Sequence, residues 1–77
     1  MNLEDVISYG AIIWASDPWG SCVTWNGSAT FNWWNFDRLN QKWVNDDVMT
    51  HYGVKDVYEA RKHAAEWAAA DAESVDA

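Results

Sequence analysis

His51 and His63 are the two histidines of the chain, and Cys22 is its one cysteine. Nucleophilic catalysis would need a hydroxyl or thiol held by one of these imidazoles, with a third group orienting the base. Cys22 and Ser28 are the available nucleophiles, but no elbow or fixed spacing ties either to a histidine. His51 falls near a strand end, as a neighbour for Asp46 or Asp47, and His63 lies one helical turn from Glu59 and from Trp67. Both read as ordinary surface or edge residues. Adjacent Asp46 and Asp47 could begin a metal site only if a bulge brought them together, because successive strand residues point to opposite faces. The glycines at 10, 20, 27 and 53 are scattered and form no phosphate-binding loop. The expectation is no catalytic residue, no cofactor and no metal, and therefore not an enzyme.

Charge narrows the partners. Twelve acidic residues face five basic ones, for a formal net charge of −7. Residues 1–37 carry Glu4, Asp5, Asp17 and Asp37 but no lysine or arginine, and all five bases lie between Arg38 and Lys62. Beyond them come Glu66, Asp71, Glu73 and Asp76. Such a chain repels nucleic acid and anionic membrane and is steered towards basic surfaces. An acidic surface also serves plain solubility. Single-strand binders stack bases on exposed tryptophans, but they add a positive groove, which the tryptophan-rich first half lacks. Aromatics beside Asn and Asp can also recognise sugars, a reading less natural for a cytoplasmic chain. A cytoplasmic location is expected. The N-terminus reads as no signal peptide, no apolar run approaches the roughly 18 residues of a membrane span, and a lone cysteine suits a reducing compartment.

The elements that must position these residues follow from the patterning. Seventy-seven residues read as one domain, 1–77. A chain of this size buries only about 60–65% of its unfolded surface, so large core side chains are needed, and seven tryptophans meet that need. "MNLED" reads as a lead-in and "VISYGAIIWAS" as a buried strand over about 8–15. "SDPWGS" (16–21) reads as a turn built on Asp17, Pro18 and Gly20. Asn26-Gly27 between β-rich runs signals a hairpin. A two-residue loop would split the apolar set between faces. A three-residue loop gathers Val23, Trp25, Ala29, Phe31 and Trp33 on one face, and a one-residue slip would reverse every side chain. The opposite face then carries Cys22, Thr24, Thr30, Asn32, Trp34 and Phe36. After a polar connection (37–41), "KWVNDDVMTHY" reads as a fourth strand, with a bulge where alternation falters at Asn45-Asp46-Asp47. From Asp56 the period becomes helical: Val57, Ala60, Ala64, Trp67 and Ala68 form one apolar stripe of a helix over about 56–72, before a loose tail, 73–77. The expected fold is α+β: a three- to four-stranded antiparallel meander, its strands within about 8–52, with one C-terminal helix packed on one face.

Seven Trp, three Tyr and two Phe exceed what one helix-on-sheet core of this size can hold. Trp34 and Phe36 fall on the face with no expected cover. Aromatics are enriched at interface hot spots, and Asp37, Asp46 and Asp47 would flank such a patch. Glu66, Asp71 and Glu73 sit where the helix dipole disfavours negative charge, so they do not serve the helix. The partner-binding set expected from the sequence is Trp34, Phe36, Asp37, Asp46, Asp47, Glu59 and Glu66, suited to a basic, partly apolar groove on another protein. A homodimer seam on the second sheet face is the alternative, as is a minor cluster there with the N-terminal run.

The stretch "GAIIWASDPWGSCVTWNGSATFNWWNF", then "KWVNDDVMTHYGV" and the "VYEARKHAAEWA" helix, resembles small acidic phage-borne proteins with a β-meander and a C-terminal helix, and in character is similar to anti-CRISPR proteins. The resemblance covers about residues 9–70 and is one of size, charge and pattern; no functional residue carries over. It implies a non-enzymatic inhibitor that occupies the basic, DNA-binding channel of a CRISPR effector complex in the host bacterial cytoplasm. Its acids would compete for Lys and Arg side chains that otherwise contact phosphates.

Overall fold

The structure, a computed structural model, describes residues 2–16 and 19–75, with side chains through Asp71. The elements run α1 (Leu3–Ile7), β1 (Ala11–Ala15), β2 (Ser21–Trp25), β3 (Thr30–Asp37), β4 (Lys42–Thr50) and α2 (Val57–Val75). The four strands form an antiparallel meander in the order β1-β2-β3-β4. This is the α+β architecture expected, with one element more.

That element is α1, where a lead-in and the start of the apolar run were expected, and β1 begins at Ala11 rather than near residue 8. Asn2 caps it: its side-chain oxygen accepts the Asp5 N–H at 3.0 Å, and the Asp5 carboxylate accepts the Asn2 N–H at 3.2 Å. The reciprocal pair satisfies two N–H groups that a helix start leaves free. The apolar run 6–16 is therefore broken, and Gly10 is the break. Its φ is +145°, and a Cβ there would lie 2.1 Å from the Trp25 carbonyl oxygen. Only glycine lets the chain leave α1 this close to β2.

The β2–β3 hairpin has the parity that gathers the apolar residues: Val23 pairs with Trp33, and Trp25 with Phe31. Gly27, Ser28 and Ala29 form its loop. The Asn26 side chain accepts the N–H groups of Ser28 and Thr30, and Gly27 takes φ +88°. Of the expected turn at 16–21, Asp17 and Pro18 lie outside the described residues. The rest is tied by the Ser16 hydroxyl, which accepts the N–H groups of Gly20 and Ser21 at 3.1 and 2.9 Å.

Two bulges decide which residues meet. In β1, Ile12 pairs with Thr24 and Trp14 with Val23, leaving Ile13 as the extra residue. Ile13 and Trp14 thus both face α2, while Ile12 packs on the other side. In β4, Trp33 pairs with Asp47 and Trp34 with Asn45, so Asp46 is the extra residue. The bulge expected at 45–47 is there.

The sheet has a core on each face, which accounts for the surplus of aromatics. On one face Ala60 and Ala64 of α2 press onto Ile13, Val23, Trp25 and Phe31, with Trp14, Trp33, Met49 and Trp67 around them. Phe31 meets Trp67 edge-on at 4.9 Å, and Trp14 stacks on Trp33 at 5.3 Å. On the other face Val6 of α1 packs with Cys22, Trp34 and Trp43. Tyr9 stands edge-on to Trp34 at 4.9 Å, and Trp19 edge-on to Trp43 at 5.1 Å. The second face is the small cluster with the N-terminal run, and α1 is its cover.

Candidate functional site

Trp34, expected as an exposed anchor, is fully buried, and its indole N–H donates to the Thr24 hydroxyl at 3.0 Å. It is the centre of the second core and cannot touch a partner. Phe36 is half-buried against Trp43. Asp37 organises the β3–β4 turn by accepting the N–H groups of Leu39 and Asn40 and the Asn40 side-chain amide. Those bonds hold its carboxyl below the ordinary value of 3.8, the Asn40 side chain contributing most. Glu59 ties down the start of α2 by accepting the Lys55 N–H at 2.8 Å, beside Asp56, which accepts the Glu59 N–H at 2.9 Å. Glu66 is exposed on α2. The expected set is therefore not one surface. Its aromatics face α1, while Asp47, paired with Trp33, faces α2.

What the fold does assemble is a pocket of about 360 Å³ between the β4 bulge and the C-terminal half of α2. Trp33, Met49, Trp67 and Ala70 form its apolar lining, and Asp46, Asp47 and Asp71 its acidic lining. It exists because α2 lies closest to β1, the far edge strand. The half-buried indoles of Trp33 and Trp67 flank the space beside the β4 bulge.

The bulge supplies the carboxylates. Regular alternation would send Asp46 and Asp47 to opposite faces, but with Asp46 as the extra residue both line one pocket. The bulge is held by Asn45. Its side-chain amide donates to the Asn32 side chain (3.3 Å), the Trp33 carbonyl (3.2 Å) and the Asp47 carbonyl (3.3 Å). One Asp47 carboxylate oxygen accepts the Val48 N–H at 2.9 Å, which fixes that side chain's direction.

Trp33, Trp67 and Asp71 line the pocket but lie outside the set expected from the sequence. For Trp33 the hairpin parity that turns it towards α2 was a signal; for Trp67 and Asp71 no local pattern points to the β4 bulge.

Of the nucleophiles considered above, Cys22 lies on the opposite face of the sheet from His63. Cys22 is buried against Val6, Trp34 and Trp43 on the α1 face, and desolvation pushes its thiol up to about 11. A thiol in that range is a poor nucleophile at neutral pH. His51 and His63 instead meet each other, with ring centroids 4.1 Å apart, and His63 stacks near Trp67 on the α2 side. Among the described residues no group of three His, Cys, Asp or Glu side chains is arranged to hold a metal, and no helix is long and apolar enough to cross a membrane.

Comparison with protein-family models, with curated proteins and with solved structures finds no match to this chain.

Proposed function

We propose that this chain is a non-catalytic inhibitor that binds a basic, nucleic-acid-handling surface of a partner protein and blocks it by occupancy. A CRISPR effector complex is the partner that the resemblance in size, charge and pattern suggests. The observation that carries the reading is the pocket, which Asp46, Asp47 and Asp71 line together with two half-buried indoles on a chain of net charge −7. A phosphate backbone would be repelled by this lining, whereas lysine and arginine side chains arranged to receive phosphates would be attracted to it. Self-association through the second sheet face has less support, because α1, Tyr9 and Trp19 already cover Trp34 and Trp43.

The test is competition. The protein is incubated with a panel of purified CRISPR effector complexes, and target-DNA binding is followed by gel shift at two salt concentrations. The expected result is loss of DNA binding with one complex, weakened by added salt. The double substitution Asp46→Lys with Asp47→Lys should abolish the effect in a protein that still folds. Association without loss of DNA binding would move the block to a later step. No association with any complex would remove the CRISPR reading.

A further inference from the structure

We infer that the pocket between β4 and α2 is the subsite for one arginine side chain of the partner, held as a guanidinium against indole. This rests on the reading above that the partner surface is basic. Three features of the lining select the occupant.

First, no lining residue is basic, and three are carboxylates. The occupant is therefore a cation, and nucleobases attached to phosphates are excluded by charge. Second, Trp33 and Trp67 both line the pocket half-buried, Trp33 with Trp14 stacked against it and Trp67 with His63 beside it. A cation over an indole face gains about 0.5–1 kcal/mol at an exposed site and about 2 kcal/mol or more when desolvated. A guanidinium is flat, weakly hydrated and stacks on such rings, whereas an ammonium is a compact, strongly hydrated point charge. Third, Asp46 and Asp47 are adjacent in sequence and share one wall because of the bulge. A guanidinium presents five N–H donors in a rigid fork and can address more than one carboxylate oxygen at a time. The methylene stem of the arginine would lie on Met49 and Ala70, the apolar part of the lining.

Asn45 is the positioning residue. It touches Asn32, Trp33 and the Asp47 carbonyl across the bulge and does not line the pocket. Losing its amide would loosen the arrangement of Asp46 and Asp47.

The experiment is an NMR titration that follows the indole N–H resonances of the intact chain. The probes are N-acetyl-arginine methylamide, the lysine analogue and the uncharged citrulline analogue, each at low salt. An oligo-arginine and an oligo-lysine peptide serve as multivalent controls. The arginine probe should shift the Trp33 and Trp67 resonances saturably. The lysine probe should bind at least threefold more weakly, and the citrulline probe should give no saturable shift. Asp46→Asn with Asp47→Asn should weaken arginine binding at least fivefold, with the buried Trp34 resonance unmoved as the sign of an intact fold. Equal shifts from arginine and citrulline would overturn the proposal. So would shifts that spare Trp33 and Trp67. Equal binding of arginine and lysine would overturn the arginine selectivity and leave the basic-partner reading standing. Oligo-arginine binding that leaves both indoles unmoved would sink the pocket assignment alone. If neither peptide binds at low salt, both readings fall.

Discussion

Replacing Thr24 by Val tests whether the second core is built as described. Thr24 and Trp34 are both fully buried, and the Thr24 hydroxyl accepts the Trp34 indole N–H at 3.0 Å. Valine nearly matches threonine in shape, so little packing is lost. What remains is an indole N–H with no partner, and a buried unsatisfied donor costs about 1–3 kcal/mol. A chain of this length has a total stability of roughly 4–12 kcal/mol at 0.05–0.15 kcal/mol per residue. A loss of about 2 kcal/mol would lower the melting temperature by roughly 8–16 °C for a domain of this size. Trp34→Phe removes the donor together with part of the buried ring, at a cost of about 1–3 kcal/mol. In the double variant neither partner is left stranded, so the two losses should fall short of additivity by about 1–2 kcal/mol. Urea unfolding of the four proteins, with an unchanged denaturant slope, measures all of this. Thr24→Val within 0.5 kcal/mol of the parent, or strict additivity in the double variant, would refute the buried hydrogen bond. Both single variants should bind the partner unchanged when folded, since neither residue reaches the surface.

Two further outcomes follow from local geometry. Gly10→Ala should be far more damaging than Gly27→Ala. Both alter a positive φ, a cost of about 1–3 kcal/mol in such backbone regions, but only at Gly10 does the new Cβ meet a backbone carbonyl, at 2.1 Å, while nothing lies within 4 Å at Gly27. Urea midpoints that rank the two equal would contradict the close approach of α1's exit to β2. Asp37 should titrate in the native state with a midpoint below 3.8, chiefly because of the Asn40 side chain and then its backbone N–H. Because the folded value is depressed, its stabilising effect is complete above the unfolded carboxylate value near 3.9 and is lost as pH falls through the lower folded value. An NMR titration of the Asp37 carboxyl carbon checks this. Asn40→Ala should raise the midpoint, and a native midpoint at or above 3.8 would remove the turn's role.

Local pattern determined much of this protein. The α2 stripe of Ala60, Ala64 and Trp67 repeats at helical spacing, and spacing is a property of the chain alone. The hairpin parity followed because one register collects Val23, Trp25, Phe31 and Trp33 and the other scatters them. The bulge at Asp46 was legible as a lapse in alternation. The α1 cap was also written locally, in Asn2 and Asp5, but the β-branched Val6 and Ile7 beside it favour a strand by propensity, and the two signals conflict.

Tertiary structure decided the rest. Trp33 and Trp34 are adjacent and identical in type, and nothing in their own sequence says which is fully buried. The answer depends on what covers each face. The short α1 seals Val6 over Trp34, whereas α2, lying towards β1, leaves Trp33 half-open beside Trp67. The pocket has the same origin. Asp71 on α2 is more than twenty residues from Asp46 and Asp47 on β4, and the packing of α2 on the sheet, with the bulge in β4, brings the three to one cavity. Spacing determines which side of an element a residue occupies; where that side meets another element is a matter of packing, and the acidic pocket is a product of packing.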